Sequence, residues 1–126
     1  MDRYDPEVPP DPIEWLALDA DERTLLVERY HRDARVSLPK RARPIHALLH
    51  TVVENQLALE DQTIVRETLQ RLLGEGLKRH DAVHAIGTVL AEYMHDLLNK
   101  KEVQSDGHAP YYEALRRLTA KKWRGG

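Results

Sequence analysis

The chain is predicted to be all-α, an antiparallel bundle of four to five helices joined by short connections, and three observations point there. Apolar residues recur at helical spacing in four segments, and no segment shows the sustained alternation or hairpin dipeptides of paired strands. The 126 residues contain no Phe, so Leu, Val, Ile, two Trp and five Tyr must fill the interior, a composition that suits helices. A chain of this length fits one domain that buries roughly two thirds of its unfolded surface. The expected layout is a lead-in over 1–10, a helical body over 11–120 and a basic tail over 121–126.

The elements follow in order. Pro6, Pro9 and Pro10 keep the first ten residues out of a helix. Asp11-Pro12 then supplies an N-cap followed by proline at the first helical position, and Ile13, Trp15, Leu16 and Leu18 form a short apolar turn. Asp19, with Glu22 three residues on, opens a longer helix to about residue 34 carrying Leu25, Leu26 and Tyr30. A basic loop interrupted by Pro39 fills 35–43, and Pro44 stands in the first turn of a helix over 44–59. Beyond Glu60 and Asp61, the apolar residues Ile64, Val65, Leu69, Leu72 and Leu73 predict a helix ended by Gly74 and Gly76. The next helix spans 79–99, with Val83, Ile86, Leu90, Met94 and Leu97 on its apolar stripe. After Ser105-Asp106-Gly107, a helix over 110–120 presents Tyr111, Ala114, Leu115 and Leu118, and the chain closes on Lys121, Lys122, Trp123 and Arg124.

With no cysteine in the chain, disulfides, thiolate nucleophiles and iron-sulfur clusters are excluded, and any metal must be held by nitrogen and oxygen. The acidic, proline-rich start lacks the basic and apolar regions of a signal peptide, and no apolar run reaches membrane-spanning length, so a cytoplasmic location and no membrane are expected. Net charge is -2, unevenly spread. Residues 1–28 hold nine acids against Arg3 and Arg23, while 29–43 hold six bases against Asp33. The bases of 32–43 and the tail raise the alternative of a nucleic-acid or protein adaptor. Overall acidity and the lack of a recognition-helix pattern or stacking aromatics weigh against nucleic acid. A homodimer completing the bundle across a two-fold axis is compatible with the sequence. No nucleophile motif, phosphate loop or dinucleotide fingerprint is present, so hydride, phosphoryl and ordinary acyl transfer have no positive support, while a hydrolase-like or oxygen-handling metal enzyme stays open.

Two H-x-x-x-H pairs stand out. Residues four apart share a helix face, so His46 and His50, and likewise His80 and His84, are each a candidate two-toothed ligand. In an up-down bundle both pairs fall in the first two turns of parallel helices and so at one end. There the positive helix termini favour the neutral imidazole that a metal requires. Glu54, one further turn along from His50, is a candidate ligand, orienting group or base, and His31, Glu28, Gln56 and Glu75 are candidates for the surrounding shell. A divalent metal is expected, zinc first for its tetrahedral preference, with nickel, iron and manganese compatible. The metal-free alternative is a buried, hydrogen-bonded histidine layer. A third pattern, Glu28-x-x-His31 with Glu92-x-x-His95, matches the E-x-x-H element of di-iron bundles, although the predicted topology puts the two at opposite ends.

The segments H-A-L-L-H-T-V-V-E-N-Q (His46 to Gln56) and R-H-D-A-V-H-A-I-G (Arg79 to Gly87) resemble the signature of a small bacterial family of unknown function. The likeness covers about residues 12–99. Members similarly pair a histidine helix ending in a Glu-x-Gln-like element with an R-H-E-A-x-H helix, and Asp81 here stands where Glu is usual. The resemblance implies a helical fold, a bacterial source and a signature of His46, His50, Glu54, Gln56, His80 and His84, with no activity attached.

Overall fold

A computed structural model describes residues 1–34, 43–99 and 109–125. Among them the chain forms seven helices and no strand, in agreement with the all-α expectation. The count exceeds four to five because the short apolar turn near the start is itself a helix and the last predicted helix is divided. Internal contacts group the chain into two compact units, Met1–Gln62 and Thr63–Gly126.

In the first unit, α1 (Pro12–Ala17) begins where Asp11 accepts from the backbone N–H groups of Ile13 and Glu14, and α2 (Ala20–Asp33) begins where Asp19 accepts from Glu22 N. Arg23 closes α1 from outside. Its guanidinium donates to the carbonyls of Trp15 and Leu16 and to Asn55 Oδ1, and so satisfies acceptors that a helix end leaves open. Trp15 is fully buried and its indole N–H donates to the same Asn55 oxygen at 2.8 Å, tying α1 to α3 (Arg43–Ala58). Contacts between α2 and α3 run antiparallel, because Arg23 near the start of α2 meets Asn55 near the end of α3, while His31 near the end of α2 meets His46 near the start of α3. The core here is Tyr4, Trp15, Leu26, Val27 and Ala47.

Residues 1–10 are not helical, as the prolines require, yet they contribute to that core. Tyr4 and Pro6 are buried. Asp5 shapes the turn that allows this, accepting from Glu7 N through its carboxylate and from Val8 N through its carbonyl, each at 3.0 Å.

In the second unit, α4 (Thr63–Gly74) ends in a Schellman turn. Leu77 N bonds to Leu72 O, Gly76 N bonds to Leu73 O, and Gly76 takes a φ of 100°. Glycine is needed there because a Cβ disfavours that backbone region. The turn leads directly into α5 (Arg79–Asn99), whose Ala82, Val83, Ile86 and Leu90 are buried. The predicted stripe stops at Leu90: Met94, Leu97 and Leu98 are exposed, so the last turns of α5 carry apolar residues on the surface. The final predicted helix is α6 (Ala109–Arg117) followed by α7 (Ala120–Trp123), which Thr119 caps. The basic tail is therefore partly ordered: Lys121 and Lys122 belong to α7, and Arg124 donates to Gly76 O. Tyr111 and Leu115 are the buried face of α6, with Tyr93 of α5 stacked on Tyr111. The basic loop over 35–42 lies outside the described residues.

Candidate functional site

His31 reaches the first unit's interior from the last turn of α2, where only 7% of its surface is exposed. Its Nδ1 lies 2.8 Å from the Val27 carbonyl. A carbonyl can only accept, so the proton sits on Nδ1 and the ring's lone pair on Nε2. That Nε2 lies 3.0 Å from His46 Nε2, which must therefore donate. Burial pushes the His31 pKa below the ordinary imidazole value, with the Val27 hydrogen bond opposing it, so the ring is held neutral.

His50, one turn beyond His46 on α3, is 2% exposed. The shared face predicted for the two is present, but the rings diverge, with centroids 6.2 Å apart and planes perpendicular. Its Nε2 lies 2.7 Å from the Tyr4 hydroxyl, and that hydroxyl donates to Oε2 of Glu54. The phenol has a single proton and spends it on the carboxylate, so towards His50 it accepts. His50 consequently carries its proton on Nε2 and its lone pair on Nδ1. One ring nitrogen of His31 and one of His50 come within 4.8 Å of each other.

In the second unit, His80 and His84 occupy the first two turns of α5 and are half-buried. Here the predicted convergence is direct: the two Nε2 atoms lie 3.1 Å apart. Two nitrogens held by one tetrahedral zinc at about 2.0–2.1 Å are about 3.3 Å from each other. The α5 pair stands within a few tenths of an ångström of that spacing.

Other candidates separate clearly. Glu54 is buried beside Tyr4, and Gln56 is half-buried on α3. Glu28 is exposed on α2. Glu75 is engaged elsewhere in its own unit, accepting from Ala120 N and from Arg71. Those donors, Ala120 N first, hold its carboxyl below the usual carboxylate range. The di-iron pattern fails because such ligands must project inward, whereas Glu28, Glu92 and His95 are exposed and His95 lies 3.9 Å from Asp96. Tyr4 was missed in the sequence. The available signal was a tyrosine set directly before an Asp-Pro turn in a stretch almost without other apolar side chains.

No protein-family model, curated protein or solved structure matches the chain. Among the described residues no helix is long and apolar enough to cross a membrane.

Proposed function

We propose that this chain binds divalent metal through paired imidazoles, His80 and His84 in the second unit and, within the first unit, His31 and His50. The observation that carries the reading is the 3.1 Å separation of the His80 and His84 Nε2 atoms, which a single tetrahedral ion spans with little movement. The first unit supports it by presetting both of its rings, with lone pairs on His31 Nε2 and His50 Nδ1 and with Val27 O, Tyr4 and Glu54 holding the protonated sides. Metal-bound histidines are commonly oriented this way. His46 shares the His31 lone pair through its own N–H, so metal and His46 compete for that nitrogen.

Zinc suits imidazole pairs best, for its preference for tetrahedral nitrogen ligands. Nickel, iron and manganese accept the same nitrogens in wider shells. The resemblance of the two histidine segments to a family signature accords with this reading, for the signature contains His50, His80 and His84.

Metal-free hydrogen bonding is the second reading, favoured by the imidazole contacts of 3.0 and 3.1 Å, which neutral rings also form. Metal analysis of protein purified without a histidine tag separates the two. Zinc is expected to copurify with the parent, and its content to fall in His50→Ala and in His84→Ala. Negligible metal in the parent, or unchanged metal in both variants, leaves only the hydrogen-bonded layer.

A further inference from the structure

We infer that Tyr4 is a positioning residue of the histidine site, selecting Nδ1 of His50 as the ligand nitrogen; the inference rests on the proposed metal reading for its binding consequence but not for its tautomer. Tyr4 comes from outside the helices. The Asp5 turn and buried Pro6 bring its ring into the core, at 5.7 Å from the ring of Trp15 and 6.2 Å from that of Tyr30. From there its hydroxyl is placed between two side chains of α3 that are each 2% exposed, His50 and Glu54. The hydrogen bonds run in one direction, from His50 Nε2–H to the phenol oxygen and from the phenol O–H to the Glu54 carboxylate.

A neutral histidine left to itself distributes its proton between both nitrogens, and a metal then binds a mixture of geometries. A carboxylate reaching the ring through a hydroxyl removes that freedom and raises the basicity of the distal nitrogen. Glu54 therefore acts on His50 through Tyr4 and need not touch the ion. The N-terminal stretch thereby completes a site whose ligands all lie on helices.

The test uses the full, tag-free chain and Tyr4→Phe, which keeps the ring packing and deletes only the hydroxyl. Long-range proton–nitrogen correlation spectra of the metal-free protein should show His50 with an unprotonated Nδ1 and a protonated Nε2. That signature is readable in the parent chain whether or not the variant folds. In Tyr4→Phe the two tautomers should mix, and zinc affinity in competition with a chromogenic chelator should fall about 10- to 100-fold. An unprotonated Nε2 in the parent, or unchanged tautomer and affinity in Tyr4→Phe, overturns the inference. A parent chain that shows the expected tautomer yet takes up no zinc overturns the metal reading and leaves the Tyr4 assignment in place.

Discussion

Replacing Arg71 by Met tests how the second unit is held together and whether Glu75 belongs to the histidine site. Arg71, in the last turn of α4, donates to the carbonyls of Leu115 and Leu118 at the end of α6, and to Glu75, whose other oxygen accepts from Ala120 N at the start of α7. One guanidinium and one carboxylate thus close the junction between two helices. A hydrogen bond from a charged donor contributes about 1.5–3 kcal/mol. Because the Arg71 side chain is about a third exposed, solvent recovers part of this, leaving about 1 kcal/mol for each carbonyl and about 2 kcal/mol together. Methionine keeps the apolar stem, so packing changes little.

For cooperative melting of all 126 residues, an unfolding entropy of about 2.1 cal/mol/K per residue converts that loss into a fall of about 8 °C in Tm, roughly doubled if the second unit melts alone. Differential scanning calorimetry measures the fall, and a zinc titration of the same variant should match the parent. A drop under about 2 °C would show that water already serves those carbonyls. Loss of zinc binding on replacing either Arg71 or Glu75 would return Glu75 to the ligand set.

Three further outcomes are expected. Gly76→Ala should destabilise the protein by about 1 kcal/mol through its positive φ, seen as a lower urea midpoint. The nearest atom to an added Cβ is Arg124 Nη2 at 3.7 Å, so a much larger loss would contradict an origin in backbone strain alone. The lowered pKa of His31 means that the unfolded chain binds its proton first. Its stabilising contribution is therefore complete above the ordinary pKa of about 6.5 and is lost as pH falls from there through the folded value. Urea midpoints of metal-free parent and His31→Gln should show the parent falling more steeply over that interval, and parallel curves would refute the cause. His95→Ala, removing an exposed ring, should leave zinc affinity unchanged, and a weakened affinity would contradict the ligand assignment.

Much of the helical layout was legible because helix boundaries are local. Asp11 followed by Pro12, Asp19 three residues before Glu22, and Gly76 each act on backbone groups within a few residues, and each ends or starts a helix as expected. The His80/His84 pair was legible for the same reason, since spacing by four within one helix fixes the approach. Spacing could not tell that His50 turns toward Tyr4 while His46 turns toward His31, because those choices depend on partners 46 and 15 residues away. Glu75 was misplaced for a related reason: proximity to a helix end says nothing of the Ala120 N–H that claims its carboxylate. Periodicity likewise extended the apolar stripe of α5 to Met94 and Leu97 although both are exposed. A repeating pattern shows which residues share a face and not how far along the helix that face is covered.

Metal binding by imidazoles is tested by X-ray absorption at the zinc edge of the tag-free, zinc-loaded chain. The spectrum should show nitrogen ligands at about 2.0–2.1 Å with the outer-shell scattering of imidazole rings, and weaker ring scattering in His50→Ala and in His84→Ala. A first shell of oxygens without imidazole scattering, or one unaltered by both substitutions, would contradict it.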